Sequence, residues 1–276
     1  MVNETIKVAV HGALGKMGKA VVEAVSKDSS TDLIAGIDKF SESEFMDFPR
    51  DKIPMYNSLE ECFSQHDDIE ILVDFTNSEG ISIALEASAK NQVSLVSGST
   101  GYENSLIDRA ENLAKNKGIG IVFAPNFAIG AVLLGVVSKV IAPFFDYVDI
   151  VESHHEQKLD SPSGTAISLA DSISSQRKDK FTFTETESEK ISGTRGGDFE
   201  GIKIHSVRMP GRVARHEIIF GSPGQTMTLI HDSIDRVNFM PGVLLAVKPV
   251  AEHRGWKRIR SMEYLGYGRG YWVDRW

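Results

Sequence analysis

Cysteine is nearly absent. Cys62 is the only one among 276 residues, so the chain cannot close a disulfide on itself, and a reducing compartment is the expected setting. No apolar run reaches the ~18–20 residues that a membrane-spanning helix needs. Residues 1–5 lack the basic-then-apolar pattern of a secretory leader. These absences predict a cytoplasmic protein with no membrane partner. Basic charge is scarce as well. The net charge is −8, and residues 1–200 hold 18 Lys+Arg against 32 Asp+Glu. A general nucleic-acid binder needs the opposite balance, so no nucleic-acid partner is expected, and a site for an anion must draw on a local positive field. There is no internal repeat and no low-complexity tract.

What is present is an alternation of short apolar runs with amphipathic stretches. Residues 6–10 read as a buried strand, followed by a glycine turn and a helix over 16–26. Strands are predicted at 33–37, 70–75, 93–97 and 119–123, with helices at 81–90 and 106–115 and a surface loop over 42–56. Strands alternating with helices at this spacing specify an α/β fold with a Rossmann-like, doubly wound parallel sheet. A long apolar helix over 131–145, interrupted near Pro143, follows. The pattern then changes to a strand at 148–152, a loop, a helix to about 175 and a polar connection over 182–198. Runs at 202–208, 213–220 and 225–231 close the pattern as neighbouring strands. They predict a second α+β domain with a mixed or antiparallel sheet, before a last helix over 243–252 despite Pro249. The domain division expected is 1–127 with 240–276 for dinucleotide binding. Residues 128–239 are left for substrate binding, catalysis and oligomerisation.

Gly12, Gly15 and Gly18 fall where the first strand turns into the first helix. Glycine there permits a tight turn and lets the backbone approach a pyrophosphate at the helix N-terminus. Asp38, twenty residues on at the end of the second strand, suits the ribose hydroxyls of NAD. Leu14 occupies the usual second-glycine position. Lys39 beside the acid leaves NADP open, because a cation there neutralises a 2′-phosphate. Gly98, Thr100 and Asn126 lie at the ends of two further strands, where parallel sheets bind ligands.

The densest chemistry is the run from Glu152 to Ala166. His154 and His155 exchange protons near neutral pH, and Lys158 is a fixed cation. Ser163, Gly164 and Thr165 open an apolar-periodic helix whose free N–H groups make an anion site. Together they suggest an enzyme that protonates a small anionic substrate. A metal held by His154, His155 and Asp160 is disfavoured by Lys158 beside it, so no metal is expected. His205, His216 and His231 lie in strand-like runs and read as structural. Arg208 and Arg236 either guard an anionic pocket or pair within the core or an interface.

In this order the pieces resemble the 4-hydroxy-tetrahydrodipicolinate (dihydrodipicolinate) reductase family, from about residue 6 to residue 247. The most specific element is Glu152-x-His-His-x-x-Lys-x-Asp-x-Pro-Ser-Gly-Thr-Ala166. It is supported by Val-Asp-Phe-Thr76, Gly-Ser-Thr-Gly101, Ala-Pro-Asn-Phe127 and His205-Ser-Val-Arg208. The resemblance implies reduction of an unsaturated cyclic dicarboxylate by NADH or NADPH in the diaminopimelate route to lysine. His154 is implied as general acid and Lys158 as the second proton-donating or charge-stabilising group, with His155, Ser163, Gly164 and Thr165 holding carboxylates. Gly12, Ala13, Leu14, Gly15, Lys16, Met17, Asp38, Lys39, Gly98, Ser99, Thr100, Ala124, Pro125, Asn126 and Phe127 would line the cofactor. Family members form homotetramers through the second domain's sheet, and the same assembly is expected here.

Departures from the family pattern are Asn77, Lys203, Met209-Pro210 and Ala214-Arg215-His216. The segment 253–276 carries six Lys+Arg and six Trp+Tyr, and is read as packing on a neighbouring domain or subunit. Rival readings are a non-catalytic dinucleotide sensor and another NAD(P) oxidoreductase acting on a small amino or dicarboxylic acid.

Overall fold

A computed structural model describes residues 5–47 and 52–252. The basic-aromatic segment 253–276, and the role expected for it, lie outside the described residues. The chain divides into two compact units, one running to Phe127 and resuming at Phe239, the other Ala128–Asn238.

The first unit follows the alternation: β1 (Ile6–His11), α1 (Lys16–Lys27), β2 (Thr31–Ile37), β3 (Phe45–Asp47), β4 (Lys52–Tyr56), α2 (Leu59–Gln65), β5 (Ile71–Asp74), α3 (Ser78–Asn91), β6 (Ser94–Ser97), α4 (Asn104–Lys117) and β7 (Ile121–Phe123). The seven strands lie in the order β3-β4-β2-β1-β5-β6-β7, all parallel except the edge strand β3, which is antiparallel to β4. β5, β6 and β7 are buried at every residue, as expected of parallel strands covered by helices on both faces.

The predicted surface loop over 42–56 is a correction. It contains β3 and β4, because Ile53 and Met55 alternate inward while Pro54 sits between them. The helix α2 was not foreseen either. Ser58 caps it by accepting from Glu61 N, and Leu59, Cys62 and Phe63 form its buried side.

The second unit contains α5 (Ile129–Ile141) with a 3₁₀ turn at Ala142–Phe144, β8 (Tyr147–His154), α6 (Gly164–Ser174), β9 (Gly197–Phe199), β10 (Ile202–Arg208), β11 (Ala214–Ser222) and β12 (Gln225–Ser233). Its sheet runs β12-β11-β8-β10-β9 and is mixed, with only the β8–β10 pair parallel. The polar connection over 182–198 thus ends by entering β9, an edge strand. One face of β8 carries Val148 and Ile150, opposite Ile204 of β10 and Ile218 and Phe220 of β11. These pack with Ala166, Leu169, Ala170 and Ile173 of α6 in one core. Burying each large aliphatic side chain contributes roughly 1.5–3 kcal/mol.

The chain finally returns to the first unit as α7 (Met240–Glu252), helical through Pro249, packing on β5, β6 and β7 and against α1.

Candidate active site

In the first unit the ends of β1, β5 and β6 are tied to one carboxylate. Asp74, fully buried, accepts from Thr76 Oγ1 at 2.7 Å, Ser97 Oγ at 2.6 Å and Ser99 Oγ at 2.7 Å, and faces His11 Nδ1 at 2.9 Å. Burial pushes its pKa up, but the hydrogen bonds from His11, Ser97 and Thr76 outweigh it and hold Asp74 below the ordinary carboxylate range. Ser99, expected at the cofactor, therefore spends its hydroxyl on Asp74, and it accepts from Thr76 N at 2.8 Å.

Beside this node lies a cleft of about 700 Å³, lined by Gly12, Leu14 and Gly15 of the glycine turn and by Asp38 and Lys39 after β2. Gly12 has φ +82°, and a Cβ there would stand 2.6 Å from the Phe75 carbonyl oxygen. At Gly18 a Cβ would stand 1.9 Å from the Gly12 carbonyl oxygen, so only glycine lets α1 start this close to the turn. Leu14 keeps its place because its N–H donates to Asp38 Oδ2 at 3.0 Å, while Asp38 Oδ1 accepts from Phe40 N at 3.1 Å. Two of about four acceptor positions on this carboxylate are used, leaving capacity for ribose hydroxyls. The volume, the Cβ-free approach and the acid all fit a dinucleotide.

Lys39 Nζ lies over the Phe40 ring, 5.1 Å from its centroid. Of the other expected cofactor residues, Ala13 is buried, Lys16 is exposed and Met17 half-buried at the start of α1. Gly98 and Thr100 follow β6, and Ala124, Pro125, Asn126 and Phe127 follow β7; none of these six lines this cleft. Phe127 packs on Phe75 with ring centroids 5.7 Å apart. Asn77 is explained locally: its side chain accepts from Glu79 N and Gly80 N and caps α3.

In the second unit the aliphatic row of β8 continues into acid–base chemistry. Glu152 and His154 follow Val148 and Ile150 on the same face. His154 is therefore the last residue of a central strand and not part of a loop, a correction to the expectation. Glu152 is fully buried and receives Arg208 Nη2 at 2.8 Å and Nη1 at 2.9 Å, Ser163 N at 3.2 Å, and His154 Nδ1 at 2.6 Å. Burial pushes the Glu152 pKa up, but the hydrogen bonds from Arg208 and the other donors outweigh it and bring it to about 2. His154 is pushed below its ordinary value by burial, against the pull of Glu152, with Lys158 and Arg208 adding to the depression.

Ser163 caps α6, accepting from Ala166 N at 3.2 Å, and its hydroxyl meets His216 Nε2 at 3.2 Å. The His216 ring stands edge-on to His154, with centroids 5.4 Å apart. His154 and the capped start of α6 are thus joined through Glu152 and His216. Gly164 and Thr165 form the first residues of α6, and half-buried His155 directly follows β8. Lys158 donates to Asp160 Oδ1 at 2.7 Å.

Glu152, Arg208 and His216 lie outside the expected site residues. Arg208 takes the core-pairing alternative, and His216 contacts Ser163 and the edge of the His154 ring. A usable signal existed for Glu152, two residues before His154 at strand spacing. Arg208 and His216 depend on strand register, which spacing along the chain does not reveal. Lys203 pairs with Asp198 at 3.3 Å and lies over Phe183; Arg215 pairs with Glu217 and Asp232. Among the described residues no group of three or more His, Cys, Asp or Glu is arranged to hold a metal, and no helix is long and apolar enough to cross a membrane.

Burial, above all, and the neighbouring charge of His154 lower the His216 pKa to about 4. A histidine that stays neutral when folded costs stability once the unfolded chain protonates. Stability is therefore full above about pH 6.5 and falls as pH drops toward 4, by about 3 kcal/mol in all. Urea unfolding across that window is expected to show the slope, and His216→Gln to flatten it.

The family models for dihydrodipicolinate reductase match in tandem, the N-terminal one over residues 6–127 and the C-terminal one over residues 129–265. The chain belongs to the dihydrodipicolinate reductase family. It is 41% identical over 249 residues to the 4-hydroxy-tetrahydrodipicolinate reductase of Halalkalibacterium halodurans, covering 89% of this chain and 94% of that one. Identity to the Syntrophomonas wolfei enzyme of the same name is 40% over 263 residues, covering 94% and 98%. Among solved structures, the dipicolinate-bound dihydrodipicolinate reductase of Paenisporosarcina sp. TG-14 matches with a TM-score of 0.82 and 35% identity, over 92% of this chain and 97% of that one. The glycine turn lies in the segment that the N-terminal model matches, and the histidine pair in the segment that the C-terminal model matches.

Proposed function

We propose that the chain reduces 4-hydroxy-tetrahydrodipicolinate to tetrahydrodipicolinate in the diaminopimelate route to lysine. A bound NADH or NADPH supplies the hydride; the substrate loses its hydroxyl as water and takes up the hydride and one proton. The observation that carries this reading is the joining of His154 to the capped start of α6 through Glu152 and His216.

Each part of the chain then has a task. The first unit binds the dinucleotide through the Gly12 turn and Asp38. The second holds the dicarboxylate, with Ser163, Gly164, Thr165 and His155 receiving its carboxylates at the helix N-terminus. His154 delivers the proton to the electron-rich centre that hydride addition creates, and Lys158 balances the developing negative charge. The same reading includes a cytoplasmic homotetramer. Exposed Ile230 on β12, on the face opposite to buried Ile218 and Phe220, supports an interface on this sheet, and light scattering is expected to give four times the 30.3 kDa chain mass.

The deciding assay is oxidation of NADH and NADPH at about 340 nm with freshly generated hydroxy-tetrahydrodipicolinate. Turnover is expected with wild type, falling by roughly 10²–10⁴-fold in His154→Ala. A folded, NADH-binding wild type without turnover overturns the reading in favour of a sensor or another substrate.

A further inference from the structure

Glu152 has no exposure to solvent and is surrounded by donors: two nitrogens of Arg208, the Ser163 N–H and His154 Nδ1. A carboxylate in this setting stays ionised and only accepts, so the His154 ring must carry a hydrogen on Nδ1. We propose that Glu152, clamped by Arg208, is the positioning residue of the proton donor: it holds His154 with Nδ1–H turned inward and leaves Nε2 as the atom from which the proton departs. This inference rests on the proposed acid role of His154.

The arrangement has a chemical consequence. In this tautomer a neutral His154 has a bare lone pair at Nε2 and nothing to donate, so the residue acts only as the imidazolium. Lys158 from the following loop and Arg208 from β10 oppose that second proton, and His216 from β11 adds no negative charge. Glu152 is the anion in hydrogen-bond contact with the ring and sustains the charged form. In Glu152→Gln the amide oxygen is drawn to the donors of Arg208 and Ser163. Its NH₂ then turns to His154 Nδ1, which reverses the tautomer and removes the support for the imidazolium.

The test is steady-state kinetics of wild type, Glu152→Gln and His154→Ala across pH. Glu152→Gln is expected to lose about 10²-fold or more in kcat, with KM for the dicarboxylate within about threefold. The alkaline limb of its kcat–pH profile is expected to move to lower pH by about one unit, because the anion that favours protonation is gone. If this variant does not fold, Arg208→Lys, which loosens the clamp but keeps a cation, is expected to lose about tenfold or more in kcat with the same direction of shift. A wild-type kcat in the variant tested overturns the inference. So does a reduced kcat with an unmoved limb, which marks a purely structural role. A wild-type kcat in His154→Ala instead overturns the proposed acid role itself, so the two failures are told apart.

Discussion

Arg208→Ala is expected to lower the unfolding free energy by about 3–5 kcal/mol at neutral pH, read by urea denaturation. The alanine leaves the Glu152 carboxylate fully buried and without its cation, a costlier state than either a complete pair or a neutral replacement. Linkage gives the net effect of burial and of all the donors to Glu152, with Arg208 the largest of those donors. Glu152 lies at about 2 when folded, against an ordinary value of 4.5, which corresponds to about 3 kcal/mol. A depressed carboxyl contributes stability that is fully present above about pH 4.5 and lost as pH falls toward 2. The gap between wild type and Arg208→Ala is therefore expected to narrow through that acid window. An unfolding free energy within 1 kcal/mol of wild type at pH 7, with the carboxylate still ionised, would contradict the account.

Gly18→Ala is expected to weaken NADH binding by roughly tenfold or more and to cost about 1–3 kcal/mol of stability. The new methyl meets the Gly12 carbonyl oxygen at 1.9 Å, and that atom is backbone, with no rotamer by which to move aside. The start of α1 must retreat by roughly 1.5 Å to reach ordinary contact, carrying its N–H groups away from the pyrophosphate position. Gly15→Ala is the milder comparison, since its Cβ would lie 3.2 Å from the same oxygen. NADH fluorescence titration of both variants checks the order. Equal affinity of Gly18→Ala and wild type would mean that the glycine turn does not position the dinucleotide.

Much of the fold is legible in local pattern because the central strands of the first sheet are buried on both faces and appear as continuous apolar runs. Where burial is one-sided or the element is short, the pattern fails. β4 is disguised by Pro54 between Ile53 and Met55, and α2 offers only seven residues. β8 runs past its predicted end at Glu152 for a physical reason: its apolar row turns into Glu152 and His154 where the site begins, so polar residues occupy core-facing positions. His154, Lys158 and the Ser163 helix start are legible because they lie within one short segment. Arg208 and His216 are not, because they reach Glu152 across strand pairings formed by residues 56 and 64 positions away. Asp74 has the pattern of a strand residue, and its fourfold partnership depends on three chain segments ending side by side.

The first unit closes only when α7 arrives, and α7 is separated from β7 by the whole of the second unit. Val243, Ala246, Val247 and Val250 of α7 are buried, and Gly242 sits so close to Phe127 that a Cβ would stand 2.1 Å from its carbonyl oxygen. During synthesis the sheet is therefore made long before its last covering helix. At roughly 5–20 residues per second the delay between Phe127 and the end of α7 is about 6–25 s. For that interval the nascent chain presents an uncovered apolar surface on the ribosome while the second unit, contiguous in sequence, is free to fold ahead of it.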